Sequence, residues 1–195
     1  MITSRPNGVL RDFLGSAYVF ASELSNVLER KLVEQFSKGQ LTPAQMKVLQ
    51  LVARTETHSV GDVAVFLDVS NAAASKTVDK LVRGGWLRRV EARPDRRATR
   101  LFLTAAGKKL LKSYETERLR SMAAICRQMR IPEILDLSKR LDVLSARIVK
   151  HVVRSEDICL QCGIHLRERC VIREESGAVC AYRRAKNEVE SVKGV

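Results

Sequence analysis

The segment from Ser59 to Leu103 constrains the fold most, because it predicts two short helices, a tight turn and a basic hairpin in immediate succession. The stretch SVGDVAVFLDVS predicts a helix over about Val60 to Phe66 that turns at LDV. Ser70 then predicts the N-cap of a second helix, which is expected to end at Gly84-Gly85. Two helices joined this tightly predict a helix-turn-helix, a motif that places its second helix in the major groove of DNA.

The second of these helices predicts one buried face and one outward face. Ala74, Val78 and Leu81 recur at helical spacing and are expected to face inward. The side chains expected to point outward, small enough at the start of the helix to approach a groove, are Asn71, Ala72, Ser75, Lys76 and Asp79. An ordinary amphipathic surface helix would show the same pattern, and the hairpin that follows argues against that simpler interpretation.

The hairpin expected after the double glycine is rich in arginine. Its strands are predicted over Trp86 to Glu91 and Thr99 to Leu103. From Arg83 to Arg100 there are seven arginines against two acidic residues, a net charge of +5. Arginine forks onto phosphate and enters narrow minor grooves, so the hairpin is predicted to be a DNA-binding wing rather than a solvated charge run. The DNA contacts expected from it are Arg89, Arg93, Asp95, Arg96 and Arg97.

The overall charge of the chain favours a nucleic-acid partner. Its 195 residues carry 35 Lys and Arg against 22 Asp and Glu, a formal net charge of +13. The apolar run FLGSAYVFA is shorter than a membrane-spanning helix and lacks a signal-peptide layout, which predicts a cytoplasmic protein without a membrane partner. An enzyme is not expected. The chain has only three histidines that could serve as the base for a catalytic nucleophile, and the sequence contains neither a glycine-rich phosphate loop nor an H-E-x-x-H pair.

Two long helices with a coiled-coil-like seam are predicted at the two sides of this middle region. The first runs from Val9 to about Phe36, with its seam at Leu10, Leu14, Ala17, Ala21, Leu24 and Leu28. The second follows Pro132 as far as about Val153, with its seam at Ile134, Leu137, Leu141, Leu144 and Ile148. The seams could pack on each other within one subunit. Because each is longer than a small core requires, a homodimer is predicted.

These pieces together resemble the MarR-type winged-helix regulators. The matching stretches are LTPAQMKVL, VGDVAVFLDVSNAAASKTVDKLVRGGWLRR, and a wing with Arg89, Asp95 and Arg97 that leads into LTAAGKKLL, within about residues 10 to 153. The resemblance implies a homodimer whose first and last helices interlock. It also implies recognition helices in successive major grooves of a pseudo-palindromic double-stranded DNA operator, with wings in the flanking minor grooves.

The resemblance also implies roles for individual residues. Asp95 would brace the wing and Arg97 would reach the minor groove, while the outward residues Asn71, Ala72, Ser75 and Lys76 would face bases or phosphates. Many regulators of this type bind small phenolic or lipid-like ligands between the DNA-binding lobe and the dimer helices. The resemblance therefore allows a small-molecule effector as a further partner, although no residue of the sequence indicates where its pocket would lie.

The expected fold is mainly α with a small β-wing. A winged helix-turn-helix with long terminal dimerisation helices is predicted over residues 1–153, and a short Cys-rich metal-binding tail over residues 154–195. The predicted function is sequence-specific transcription regulation by DNA binding, most simply as a repressor. A nonspecific architectural DNA-binding protein is an alternative.

The tail holds four of the five cysteines of the chain, which are Cys159, Cys162, Cys170 and Cys180. Disulfides are seldom structural in a reducing cytoplasm, so four clustered thiolates predict a metal site. Zinc ribbons usually offer a second close cysteine pair, whereas Cys170 and Cys180 stand singly, and iron-sulfur clusters tolerate such spread. The spacing therefore favours a 4Fe–4S cluster, with zinc as the alternative. Cys126 stands apart and is predicted to be a small core residue.

The identity of the metal separates two modes of regulation. A 4Fe–4S cluster predicts that operator binding is modulated by redox state, oxygen, nitric oxide or iron. A structural zinc tail predicts instead a regulator that responds to a small molecule in the dimer cleft.

Overall fold

The computed structural model describes residues 6–54, 59–91, 99–152, 158–159, 171 and 179–180. A long first helix consists of α1 (Pro6–Ser22), a π-helical segment (Glu23–Glu29) and α2 (Arg30–Ser37). The elements that follow are α3 (Pro43–Arg54), α4 (Val60–Leu67), α5 (Asn71–Arg83), β1 (Leu87–Glu91), β2 (Thr99–Leu103), α6 (Ala105–Ile125) and α7 (Ile131–Val152). Two short strands, β3 (Ile158–Cys159) and β4 (Val179–Cys180), lie in the tail.

The described core lies between α2, α3, α4, α5, the hairpin and the first half of α6. Its fully buried side chains include Val48, Leu49, Leu51, Val63, Ala74, Val78, Leu81 and Leu101. The inward face predicted for α5 is confirmed, since Ala74, Val78 and Leu81 have no exposed surface. Burial of this face fixes which side of α5 remains available to a partner.

The helix-turn-helix is fixed by local capping and turn residues. Ser59 and Asp62 form a capping box at the start of α4, with the Asp62 amide donating to Ser59 Oγ at 3.2 Å. The turn then passes through Asp68, whose φ of 54° is left-handed. Ser70 Oγ accepts a hydrogen bond from the Ala73 amide at 3.3 Å, so Ser70 is the N-cap of α5 as predicted.

The wing hairpin is tied to both helices that flank it. Its strands pair antiparallel from Leu87 opposite Leu103 to Glu91 opposite Thr99, close to the predicted ranges. The Thr104 hydroxyl donates to the Gly85 carbonyl at 2.6 Å and accepts from the Gly107 amide at 3.0 Å. Gly85 has a φ of 74°, which allows the chain to turn from α5 into β1. The base of the wing therefore has a defined position relative to α5 and α6.

The first helix differs from its prediction in one respect. A regular helix was expected from Val9 to about Phe36, and residues Glu23–Glu29 are π-helical instead. A π turn contains an extra residue and shifts the phase of the helix that follows. Glu29, at the end of this segment, is buried, and its Oε1 lies 3.7 Å from Nη1 of Arg118 on α6.

Two expectations for the cysteines have different outcomes. Cys126 lies at the end of α6, is only half-buried and is outside the described core, so its prediction as a core residue was wrong because the helix ends there. In the tail, β3 and β4 pair in parallel with the backbone of Cys159 opposite Cys180. Cys162, Cys170 and the side chains of Cys159 and Cys180 lie outside the described residues.

Within the described ranges, no helix is both long enough and apolar enough to cross a membrane.

Candidate DNA-binding surface

The outward face of α5 carries the residues that were predicted to contact DNA. Asn71, Ala72 and Lys76 are exposed, and Ser75 is half-buried beside them. Ala73 is also exposed at the start of the helix, although it is not among the outward residues predicted from the sequence. Its place directly after the outward Asn71 and Ala72, in the first turn of α5, was the available signal. Small side chains at this end would allow close approach to a groove.

Several polar side chains near this face are already bound within the protein. Ser70 caps the helix, and the Thr77 hydroxyl donates to the Ala73 carbonyl at 3.0 Å. Within the part of the chain that the structure describes, no side-chain hydrogen bond or ion pair to another protein group is made by Asn71, Ser75 or Lys76. These three side chains can therefore offer an amide, a hydroxyl and an ammonium group to an external partner.

Two arginines at the base of the wing are held by the protein itself. Arg89 on β1 donates from Nη1 to Asp79 Oδ1 on α5 at 2.7 Å. Its neighbour Arg88 lies over the Phe102 ring of β2, with its guanidinium carbon 4.8 Å from the ring centroid. The first contact joins the wing to α5, and the second lies within the hairpin. The predicted contact of Arg89 with DNA remains a prediction.

The predicted DNA contacts at the tip of the wing lie beyond the described strands. Arg93, Asp95, Arg96 and Arg97 all fall outside the described residues, so their contacts remain predictions. The described surface is itself basic, because residues 71–91 contain five Lys and Arg against two acidic residues. A positive surface of this kind attracts a polyanion.

A buried polar cluster joins the π-helical segment to α6. Tyr114 is 2% exposed and lies near Glu29, and the Arg118 guanidinium carbon is 6.0 Å from the Tyr114 ring centroid. Burial, assisted by the negative charge of Glu29, raises the pKa of Tyr114 to about 12. At the next residue of α6, the carboxylate of Glu115 accepts a hydrogen bond from the side-chain amide of Gln50 on α3 at 3.3 Å. These contacts link the first helix to the lobe that carries α5.

The raised pKa of Tyr114 predicts a loss of stability in alkali. The folded chain holds the phenol proton more tightly than the unfolded chain, so this contribution is present below pH 10 and is lost as the pH rises towards about 12. Across this window, wild type should lose on the order of 2 kcal/mol of unfolding free energy more than Tyr114→Phe. Urea unfolding at a series of alkaline pH values would measure the difference.

Parallel loss of stability in wild type and Tyr114→Phe across the same pH window would contradict the assignment.

An open groove of about 470 Å³ lies beside this cluster, between α3, β2 and α6. Apolar Leu103, Leu111 and Leu119 share its lining with Lys108, Lys112 and Glu115. Mixed apolar and charged lining suits a small amphipathic ligand better than a metal ion. Within the described ranges, no group of three or more His, Cys, Asp or Glu side chains could hold a metal.

Sequence comparison identifies relatives among transcription regulators. The model of the MarR family matches residues 40–98, which include α3, α4, α5 and β1. The HTH-type transcriptional regulator PecS of Dickeya dadantii is 26% identical over 137 residues, covering 69% of this chain and 80% of that protein. The uncharacterised HTH-type transcriptional regulator YhjH of Bacillus subtilis is 34% identical over 87 residues, which cover 45% of this chain and only half of YhjH.

Solved structures share the fold at lower identity. A MarR family protein from Bacillus stearothermophilus superposes with a TM-score of 0.66 at 18% identity, over 75% of this chain and 99% of that one. FabT of Streptococcus pneumoniae, solved in complex with DNA, has a TM-score of 0.60 at 21% identity, over 71% of this chain and 94% of FabT. The predicted mainly helical fold with a two-stranded wing is therefore confirmed.

The comparisons also bear on the class of protein. The family model is that of the MarR family, and the relatives are named as HTH-type transcriptional regulators. Proteins of this family are DNA-binding regulators rather than enzymes, which agrees with the prediction that the chain is not an enzyme.

Proposed function

We propose that this chain, whose residues 40–98 match the MarR family, is a homodimeric transcription regulator that binds a pseudo-palindromic operator and represses from it. The observation that carries the proposal is the outward face of α5, where Asn71, Ser75 and Lys76 are available beside a basic hairpin. An amide, a hydroxyl and an ammonium group on one helix can read the donor and acceptor pattern of base edges in a major groove.

The homodimer is supported by the exposed apolar surface of the terminal helices. Seven large side chains of α1 are between 46% and 76% exposed in the single chain, namely Val9, Leu10, Phe13, Leu14, Tyr18, Val19 and Phe20. On α7, Leu137 and Leu141 of the predicted seam are 45% and 42% exposed, and Ile148 is 65% exposed. Soluble monomers seldom expose apolar patches of this extent. A second copy of the chain would cover both helices.

A dimer also gives the DNA-binding surfaces a geometric relation. A two-fold axis would present two α5 helices to one side of the duplex, and helix-turn-helix dimers bind half-sites about one helical turn apart. The wings would then lie at the outer edges of the site. Sequence would be read by α5, whereas arginines of the wing would mainly supply phosphate or minor-groove contacts.

The experiment that tests the role of the wing is the salt dependence of binding by Arg97→Ala. Loss of one phosphate contact per subunit should weaken binding to all DNA sequences and reduce the slope of log K against log salt by about two per dimer. Arg127→Ala is the matched control, because it removes the same charge from the turn between α6 and α7. An unchanged slope for Arg97→Ala would exclude Arg97 from DNA binding.

We propose further that the cysteines of the tail hold a 4Fe–4S cluster that modulates operator binding. The spacing of Cys159, Cys162, Cys170 and Cys180 supports this assignment, as does the parallel pairing of β3 with β4. That pairing places the backbones of the first and the last cysteine opposite each other. Four thiolates from this segment would supply a complete ligand set for one cluster.

The proximity of the tail to α7 gives the cluster a route to the operator. The tail begins a few residues after α7, so a change in the tail could shift the end of a dimerisation helix. The signal would be redox state, oxygen, nitric oxide or iron. Metal-dependent ordering of a short segment provides enough free energy to change DNA affinity.

The second candidate function has a structural zinc tail and a small-molecule effector. The groove between α3, β2 and α6 favours this alternative, because its lining by Leu103, Leu111 and Lys112 suits a small amphipathic ligand. Zinc analysis of the purified protein, together with operator binding that is indifferent to oxidants, would favour it over the cluster.

A further inference from the structure

Asp79 is an acidic residue on a helix face that would approach phosphates. It is half-buried on α5, and its carboxylate accepts a hydrogen bond from the Arg89 guanidinium at 2.7 Å. The two side chains are 43% and 36% exposed, so the pair lies at the surface between α5 and the wing. A lone carboxylate at this position would repel DNA, and its partner removes that repulsion.

The side chains of the two arginines of β1, Arg88 and Arg89, point to opposite faces of the strand and have different partners. Successive side chains of a strand point to opposite faces, and Arg88 lies over Phe102 within the hairpin while Arg89 crosses to α5. Among the described side chains, Asp79 with Arg89 is the ion pair that joins α5 to the wing. An exposed ion pair contributes little to the free energy of folding. The role of this pair would therefore be to orient the wing relative to α5.

We propose that Asp79 and Arg89 are a positioning pair that sets the angle between the recognition helix and the wing, and thereby the discrimination between operator and other DNA. In this proposal Arg89 acts through Asp79, in place of the direct DNA contact that the sequence predicts for it. The inference rests on the proposed function. It assigns base reading to Asn71, Ser75 and Lys76, and phosphate contact to the arginines of the wing tip.

This role follows from the geometry of a winged-helix site. The recognition helix and the wing must enter neighbouring grooves at the same time, and the distance between those grooves is set by the duplex. A wing that rotates on its base would still bind phosphates, but it would not hold α5 in one register. Loss of the pair should therefore reduce operator affinity more than affinity for nonspecific DNA.

The test measures operator and nonspecific DNA affinity at several salt concentrations for three variants. The operator is the site enriched by wild type from random DNA. Asp79→Asn and Arg89→Gln should each lower the ratio of operator to nonspecific affinity by about tenfold, with little change in salt slope. The double variant Asp79→Arg with Arg89→Asp should recover most of the ratio, because it restores the ion pair with the charges exchanged.

The matched control is Asp136→Asn, which breaks an ion pair of the same length on α7, between Asp136 and Arg140 at 2.7 Å. It should leave the ratio unchanged. Circular dichroism should show every variant folded, with a melting temperature within about 5 °C of wild type.

A direct phosphate contact by Arg89 predicts a different set of results. Arg89→Gln would then reduce the salt slope by about two per dimer, Asp79→Asn would strengthen binding to all DNA, and the exchanged pair would not recover binding. Any of these three results would overturn the positioning role. Failure of wild type to enrich any site would instead refute the proposed function, so the two failures are distinguishable.

Discussion

Leu14→Asp is expected to dissociate the dimer and to weaken operator binding by at least about a hundredfold. Leu14 lies on the seam of α1 and is 53% exposed in the single chain, on a surface that a second copy would cover. Burial of an unpaired carboxylate in an apolar interface is costly, and two-fold symmetry introduces the charge twice. A monomer would retain one recognition helix and one wing, and so about half of the phosphate contacts.

Sedimentation and operator titration would measure this effect together. The control is Ser16→Asp, which introduces the same charge on the same helix at an exposed position away from the predicted seam, one turn from Asp12. It should leave both the mass and the affinity near those of wild type. A Leu14→Asp protein that sediments as a dimer and binds the operator normally would place the dimer interface elsewhere.

Replacement of any one tail cysteine by Ser is expected to weaken or abolish the proposed cluster. Wild type purified without oxygen should be brown, with broad absorption near roughly 400 nm and about four irons and four sulfides per chain. The variants at Cys159, Cys162, Cys170 and Cys180 should lose most of this absorption, because each would remove one of four thiolate ligands. Cys126→Ser is the control and should keep the cluster, since Cys126 lies at the end of α6 and is not one of the four cysteines of the tail sequence.

Loss of the cluster should also change DNA binding. A hundredfold change in operator affinity corresponds to about 2.7 kcal/mol of coupling between the two sites, within the usual range for allosteric proteins. Exposure of wild type to air or nitric oxide should reproduce the effect of the cysteine variants. A colourless wild-type protein with one zinc per chain and operator binding indifferent to oxidants would contradict the cluster and support the structural zinc tail.

The local structure of the DNA-binding lobe could be predicted from sequence because short-range rules determine it. Ser70 marks the start of α5, and Gly85 has the left-handed backbone that ends it, as the sequence indicated. The inward side chains of α5 follow from the helical repeat of Ala74, Val78 and Leu81. In these cases the relevant interactions lie within a few residues along the chain.

Contacts between elements could not be predicted in the same way. The outward positions of Asp79 and Arg89 were consistent with several partners, and their pairing depends on how β1 packs against α5. The π-helical segment and the contact of Glu29 with Arg118 likewise depend on the packing of the first helix against α6. Periodicity identifies a buried face, but it does not specify which charged groups meet across two elements.

Selection of binding sites from random DNA, followed by footprinting with the wild-type dimer, would show whether the protein recognises a specific DNA sequence. Sequence-specific binding by a two-fold dimer predicts an enriched inverted repeat whose half-site centres are about one helical turn apart, protected by one dimer in two adjacent major grooves. Affinity for this repeat should exceed that for unrelated DNA by at least about a thousandfold at physiological salt. Uniform protection with no enriched repeat, and equal affinity for unrelated sequences, would contradict sequence-specific regulation and indicate a nonspecific architectural DNA-binding protein.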